Sequence, residues 1–463
     1  MFSLRSHSSR RTSRAASLTA AAAITAVAAI TAVALPLSVA GAAASPLYGS
    51  VEGAWRGSSE MGSGAALGSS MPNYDPDNFY SSLPEYVEGT PGQVLKTGPS
   101  KLALGLPFVD LTNSKATRVA YVSTDSNGKT IPVTGTIYES SRPWRGKGPR
   151  PLMLIAPGTQ GSSNACAPGK LAPWGLEYEA LPALQALMRG WDVALTDLPG
   201  LGTRAQHTYM NRVAQGNATL DIGRVAKNMG IRGVSDQTPV ATWGYSQGGG
   251  ASASALELAD SYAPELNLVA GYAGGIPANL GVVAGAIDNG ALAAALGYAI
   301  NGLLYSDPEL REPIYSKLND KGRKLLEQTK DECVPESLIR HAYKDTRTLT
   351  KDGSSLTQLM QEEPIASAVE KQLIGTLSPS VPVYIGQGKN DDTIPASQAR
   401  DLARSWLGKG TKVYYREQNV PSVAPLVDHV IPMLANLSPA VLWLEKVING
   451  QPYELSTADQ IPR

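Results

Sequence analysis

The chemistry-bearing residues of this chain gather around one serine. Gly244-Tyr245-Ser246-Gln247-Gly248 follows an apolar run ending at Trp243 and precedes a helix-like run from Ala251 to Tyr262. Strand, G-x-S-x-G turn and helix together predict a nucleophile elbow. Gly244 and Gly248, two positions either side of the serine, allow a turn tight enough to lift its hydroxyl above a sheet. A serine hydroxyl is a poor nucleophile unaided and needs a base oriented by a third group. The chain has four histidines. His7 lies near the N-terminus, His207 precedes the serine, and His341 lies in a helical block. That leaves His429, just before a C-terminal helix at 430–447, as the expected base. The acid is expected between Gly386 and Pro395, where Asp391 and Asp392 compete. An aspartate four residues before the proline, in the loop after a strand at 381–385, favours Asp391, which can reach the imidazole Nδ1–H. Asp428 adjoins the histidine along the chain, gives poor geometry for that bond, and reads as local charge. The alkoxide formed on attack needs two N–H donors. The first is expected from Gln247. The second is expected from Thr159 or Gln160, within Pro157-Gly158-Thr159-Gln160-Gly161.

The elements that must position these residues are short apolar runs at 151–156, 191–196, 240–243, 266–272, 381–385 and 411–415. Helix-like stretches at 179–189, 219–229, 248–262, 396–407 and 430–447 alternate with them. Buried strands alternating with helices predict an α/β fold with a mostly parallel sheet and helices on both faces. Segments 117–124 and 130–138 around Asn127-Gly128 predict a hairpin. The alternation stops from 277 to 376, which reads as a helical cap or lid inserted between two parts of the core, 76–276 and 377–463. Its apolar stretch at 280–304 holds Asp288, Asn289 and several glycines, and suits a cap helix over a pocket better than a lipid span.

Composition narrows the classes. The chain has 463 residues, 43% hydrophobic and 17% charged, with equal numbers of basic and acidic groups. That balance argues against nucleic-acid binding, which usually needs a basic face. The first 14 residues carry Arg5, Arg10, Arg11 and Arg14 and no acid; an Ala/Ile/Val/Leu run follows to Pro36, then small residues around Ala42-Ala43-Ala44. This order predicts a signal peptide over 1–44, cleaved near Ala42–Ala44, and an extracellular protein, with cell-envelope association as the alternative. Cleavage removes four of 40 basic residues and no acidic one, leaving a net charge of about −4. Residues 45–75 read as a flexible Gly/Ser-rich segment. Cys166 and Cys333 are the only cysteines, and an exported chain can join them in a disulfide. The scattered histidines offer no metal site, and nothing suggests a nucleotide or flavin.

These residues resemble the secretory lipase family of α/β-hydrolases, the group that includes fungal lipase A. The carriers are the GTQG stretch at 158–161 with Cys166-Ala167-Pro168, Asp197-Leu-Pro-Gly200-Leu-Gly202, Gly244-Tyr-Ser-Gln-Gly248-Gly249, and Asp391 with Ile394-Pro395. The resemblance implies a triad of Ser246, Asp391 and His429, a helical lid between the sixth and seventh core strands, and carboxylic-ester hydrolysis at a lipid surface. Many members carry His-Gly-Thr where this chain has Pro157-Gly158-Thr159. The expected function is a secreted serine hydrolase, a triacylglycerol lipase or esterase that works through an acyl-enzyme on Ser246. An envelope acyltransferase would use the same triad, and a non-catalytic lipid-binding protein would have lost it. The expected partners are an ester lipid with an acyl chain and the lipid–water interface. No cofactor, metal, nucleic acid or obligate protein partner is expected.

Overall fold

A computed structural model describes residues 74–463, apart from 106 and 111. The expected signal peptide at 1–44, and all but the last two residues of the segment at 45–75, lie outside the described residues. Among the described residues nine strands form one sheet: β1 (Val94–Ser100), β2 (Lys115–Thr124), β3 (Thr130–Glu139), β4 (Leu152–Ala156), β5 (Asp192–Thr196), β6 (Val240–Tyr245), β7 (Leu268–Gly274), β8 (Val383–Gly388) and β9 (Val413–Gln418). Their spatial order is β1-β2-β3-β5-β4-β6-β7-β8-β9. The pairs β1–β2, β2–β3 and β3–β5 are antiparallel, and every pair from β5 to β9 is parallel. Strands β4 and β5 are buried at every residue, because helices cover both faces. This is why they read as continuous apolar runs.

Sequence patterning missed β1, which contains Gly98 and Pro99, residues depleted in strands. At the sheet edge proline is tolerated, and the Pro99 carbonyl accepts from the Arg118 guanidinium at 2.8 Å. Counting β1, the helical insertion falls between the seventh and eighth strands, not the sixth and seventh. Both β7 and β8 run beyond their expected ends, through Gly274 and Gly388, because backbone pairing with neighbouring strands overrides the weak strand preference of glycine. The second long helix starts at Arg212, seven residues before its expected start. Asn211 caps it by accepting from the Ala214 N–H, and its polar first turns hide the periodicity.

The two faces are packed differently. On one, Trp243, Tyr272, Tyr384 and Tyr414 occupy paired positions on β6, β7, β8 and β9. Successive rings lie 4.2, 5.4 and 4.8 Å apart, and Trp443 of the helix Val427–Ile448 packs on the last two. Tyrosine outnumbers phenylalanine 19 to 3. Several buried tyrosines use the extra hydroxyl to tie sheet to helix: Tyr384 donates to Asn436 Oδ1 at 2.8 Å and Tyr121 to the Ala218 carbonyl at 3.0 Å. On the other face lie the helices Arg212–Asn228, Gln247–Tyr262 and Ala396–Gly408.

Between β7 and β8 the chain is mainly helical. Leu280–Ile287 and Ala294–Ser306 contribute the apolar surface that packs on Tyr209, Met210 and Ile394 at the C-terminal edge of the sheet. The disulfide Cys166–Cys333 ties this insertion to the loop after β4 across a sequence separation of 167 residues. Gly161 and Cys333 pair as an isolated antiparallel bridge, and the Ser162 N–H donates to the Glu332 carbonyl at 2.9 Å. Replacing both cysteines by serine is expected to lower unfolding free energy by about 2–5 kcal/mol, since the crosslink restricts a long loop in the unfolded chain. Equilibrium urea denaturation of the double variant against the oxidised parent measures it; an unchanged midpoint would contradict the expectation.

Candidate active site

Ser246 joins β6 to the helix Gln247–Tyr262, with φ 58° and ψ −124°. Positive φ is costly for a residue with a side chain and is held here by surrounding packing. The Ser246 N–H donates to the Gly274 carbonyl at 2.9 Å. A Cβ at Gly248 would lie 2.1 Å from the Ala156 carbonyl oxygen, and one at Gly244 would lie 1.9 Å from the Gly248 carbonyl oxygen. Gly249, just beyond the five-residue motif, is as constrained: its Cβ would meet the Gly274 carbonyl oxygen at 2.1 Å.

His429 lies within the first turn of the helix Val427–Ile448, not before it as expected. The helix begins earlier because Asp428 closes the preceding loop, accepting from the Val423 N–H at 2.6 Å and from the Ser422 hydroxyl. The imidazole is buried, and its Nδ1 lies 2.9 and 2.8 Å from the two carboxylate oxygens of Asp391. Asp391 is itself fixed by the N–H groups of Thr393 at 3.0 Å and Ile394 at 2.8 Å. Asp392 instead accepts from the Leu426 N–H at 2.7 Å and so tethers the loop leading to His429. Tyr245, beside the serine, donates its hydroxyl to the His429 carbonyl at 2.8 Å. A Cβ at Gly275 would lie 3.2 Å from His429 Cε1. The ring therefore packs against Gly275, which follows Gly274, the residue whose carbonyl holds the Ser246 N–H. Its Nε2 has no hydrogen-bond partner.

Burial disfavours the charged imidazolium, but the charge and hydrogen bond of Asp391, with Asp392 further off, outweigh it and hold the ring above its ordinary 6.5. Burial dominates at His207, where it pushes the ring down to about 4 despite the Pro199 bond.

Thr159, Ser246 and Gln247 line a cavity of about 40 Å³ roofed by Leu280, Ile287 and Leu296. Gln160 does not line it. Its amide donates to Glu177 at 3.3 Å and its carbonyl accepts from the Val334 N–H at 2.9 Å, so it faces the insertion. His207, which precedes the serine in the chain, accepts at Nε2 from the Gln247 amide at 2.8 Å while its Nδ1–H donates to the Pro199 carbonyl at 2.6 Å. Its partnership with Gln247 arises from tertiary contact 40 residues away, which no local motif announces. His341 pairs with Glu332 at 3.1 Å near the disulfide. Asp197 accepts from the Gly169 N–H at 2.7 Å and the Thr134 hydroxyl at 2.6 Å, which makes it a loop anchor.

The family model for secretory lipases matches residues 168–455. The chain belongs to the secretory lipase family. A secreted triacylglycerol lipase of Malassezia furfur is 26% identical over 60% of this chain and 71% of its own length. A probable inactive lipase of Mycobacterium tuberculosis is 28% identical over 82% and 83%. Among solved structures, Candida antarctica lipase A superposes with a TM-score of 0.70 at 22% identity, covering 84% of this chain and 88% of that one. The protein is a serine ester hydrolase with the α/β-hydrolase fold. Its family membership accords with the resemblance read from the GTQG stretch and the elbow.

Two outcomes test the site's construction. Gly248→Ala is expected to cost about 3 kcal/mol or to prevent folding, since backbone must move. Gly250→Ala, whose Cβ would sit an ordinary 3.4 Å from Pro277 Cγ, is expected to be neutral or slightly stabilising. Thermal melts compare them. NMR titration should place the His429 pKa above 6.5, and Asp391→Asn should bring it below 6.5, since burial then faces only the weaker Asp392 charge. An unmoved titration would show that Asp391 does not govern the ring.

Proposed function

We propose that Ser246, His429 and Asp391 form the catalytic triad of a secreted triacylglycerol lipase or esterase. The observation that carries the reading is the double contact of Asp391 on His429 Nδ1, with Nε2 left free and the ring packed 5.1 Å from that of Tyr245, the residue before the elbow serine. In the proposed reaction Nε2 takes the Ser246 proton as the oxygen attacks the ester carbonyl. The tetrahedral alkoxide accepts from the backbone N–H groups of Gln247 and Thr159, at the start of a 16-residue helix whose dipole favours negative charge there. The imidazolium returns the proton to the departing alcohol, leaving an acyl-enzyme. Water, deprotonated by the same ring, then releases the carboxylic acid and restores Ser246. Thr159 is favoured over Gln160 because only Thr159 borders the cavity.

The apolar roof suits an acyl chain, and the protein's partners in this reading are an ester lipid and its interface with water. In this reading the helices Leu280–Ile287 and Ala294–Ser306, which supply much of the cavity's apolar lining, form the wall that an acyl chain meets. The signal peptide expected over 1–44 and membership of the secretory lipase family support an extracellular location. Transfer to an alcohol would proceed through the same acyl-enzyme.

Hydrolysis of p-nitrophenyl esters of increasing acyl length tests the proposal. The wild type should show a chain-length optimum, and Ser246→Ala should lose on the order of 10⁶ in turnover if the triad acts as a unit. Full activity in Ser246→Ala would overturn the triad. Release of p-nitrophenol beyond one equivalent per enzyme only when an alcohol acceptor is added would shift the reading to acyl transfer.

A further inference from the structure

Three consecutive side chains, Glu177, Tyr178 and Glu179, lie beneath the loop that follows β4, and each takes one group of three consecutive residues there. Glu179 Oε1 accepts from the Gly158 N–H at 3.0 Å. The Tyr178 hydroxyl donates to the Thr159 carbonyl at 3.3 Å. Glu177 Oε1 accepts from the Gln160 amide at 3.3 Å and from the Glu179 N–H at 2.9 Å. Glu177 and Glu179 are each 1% exposed. Tyr178, Glu177 and Tyr272 face Glu179; Glu179, Asp197 and Tyr138 face Glu177. None of these groups is a cation, so the cost of burying two acids close together is offset here by the hydrogen bonds they accept from the loop and from the Glu179 N–H.

The bonding pattern brackets one peptide. The Gly158 N–H fixes the peptide plane before Gly158, and the Thr159 carbonyl fixes the plane after Thr159. Between them lies the single plane that carries the Thr159 N–H. A glycine beside that plane would otherwise leave it free to swing. Glycine at 158 leaves room for Tyr178, because a Cβ there would lie 2.5 Å from the Tyr178 hydroxyl oxygen and displace it. The side chain that would have restricted the backbone is absent for steric reasons, and hydrogen bonds from 178 and 179 restrict it instead.

We infer that Glu179 and Tyr178 are positioning residues that aim the Thr159 N–H at the developing alkoxide. The inference rests on the proposal that Thr159 supplies the second oxyanion donor. Burial also pushes Glu179 up to about 7, eased by the Gly158 bond, so its grip on the loop strengthens as it ionises near neutral pH. Glutamine at 179 keeps an oxygen that can accept the Gly158 N–H but never ionises. Alanine removes the acceptor. Phenylalanine at 178 keeps the ring and removes only the hydroxyl.

The experiment measures kcat and KM on a short soluble p-nitrophenyl ester, and the affinity for an alkylboronic acid, which forms a tetrahedral adduct with the serine. The set is wild type, Glu179→Ala, Glu179→Gln, Tyr178→Phe and Ser246→Ala. Glu179→Ala and Tyr178→Phe are expected to lower kcat about 10-fold to 100-fold with KM within about twofold, and boronate affinity is expected to fall with kcat. Glu179→Gln is expected to stay within about threefold of wild type. A loss confined to KM, an equal loss in Glu179→Ala and Glu179→Gln, or unchanged kcat in Tyr178→Phe would overturn the inference. If Glu179→Ala does not fold, Tyr178→Phe decides, since it preserves volume. An inactive Ser246→Ala beside unaffected 178 and 179 variants removes this inference alone. An active Ser246→Ala removes the triad proposal and this one with it.

Discussion

The site depends on how closely three backbones approach at the end of β6. The helix that starts at Gln247 packs so tightly on β4 and β7 that the 248 and 249 positions stand about one van der Waals contact too near the Ala156 and Gly274 carbonyls for any side chain. Only glycine at 244, 248 and 249 permits this. What the approach achieves is a helix N-terminus pressed between two strand ends, with Ser246 held at positive φ on the turn. The helix dipole, the Gln247 N–H and the serine oxygen then face one small volume. The proposed mechanism relies on donors already in place when charge develops, which is the arrangement such a tightly packed turn provides.

Register carries this geometry across the sheet. Trp243, Tyr272, Tyr384 and Tyr414 sit at paired positions on four neighbouring parallel strands, so their rings form a continuous apolar layer beneath the helix Val427–Ile448. Trp443 docks that helix near its end, and the Tyr245 hydroxyl holds it near its start through the His429 carbonyl. The histidine is thereby placed by a helix whose position the sheet dictates, while Asp391 reaches it from the loop after β8. A slip of one residue in any of these strands would turn its aromatic side chain to the opposite face.

Electrostatics divides the molecule's buried ionisable groups by what faces them. Asp391 opposes burial at His429 and holds the ring above its ordinary value, whereas His207 has only a carbonyl and an amide for company and stays neutral. Glu177 and Glu179 lack such a counter-charge, and burial raises both. The insertion is clamped differently, by the disulfide and by Glu332, which burial would raise but bonds from His341, Ser337 and Arg340 hold down to about 2. The disulfide and this charged cluster sit together, and the helix Ala294–Ser306 is joined to them through the Tyr298 hydroxyl, which donates to Ser337 Oγ.

The amino-acid sequence alone determined the features that depend on local sterics and periodicity. The elbow was legible because its glycines are required within five consecutive residues. The buried parallel strands were legible because burial on both faces demands unbroken apolar runs. The carboxylate partner of His429 was legible as a choice between two adjacent aspartates. Tertiary structure decided what depends on which distant backbone lies alongside. It separated Asp391, which touches the ring, from Asp392, which holds the loop. It separated Thr159 at the cavity from Gln160 at the insertion. It made β1 a strand despite its glycine and proline, because an edge needs pairing on one side only. It also brought His207 to Gln247 and Glu179 to Gly158, partners 40 and 21 residues apart. Hydrogen bonds over such distances leave no period or spacing in the chain, because they are set by the packing of whole strands and helices.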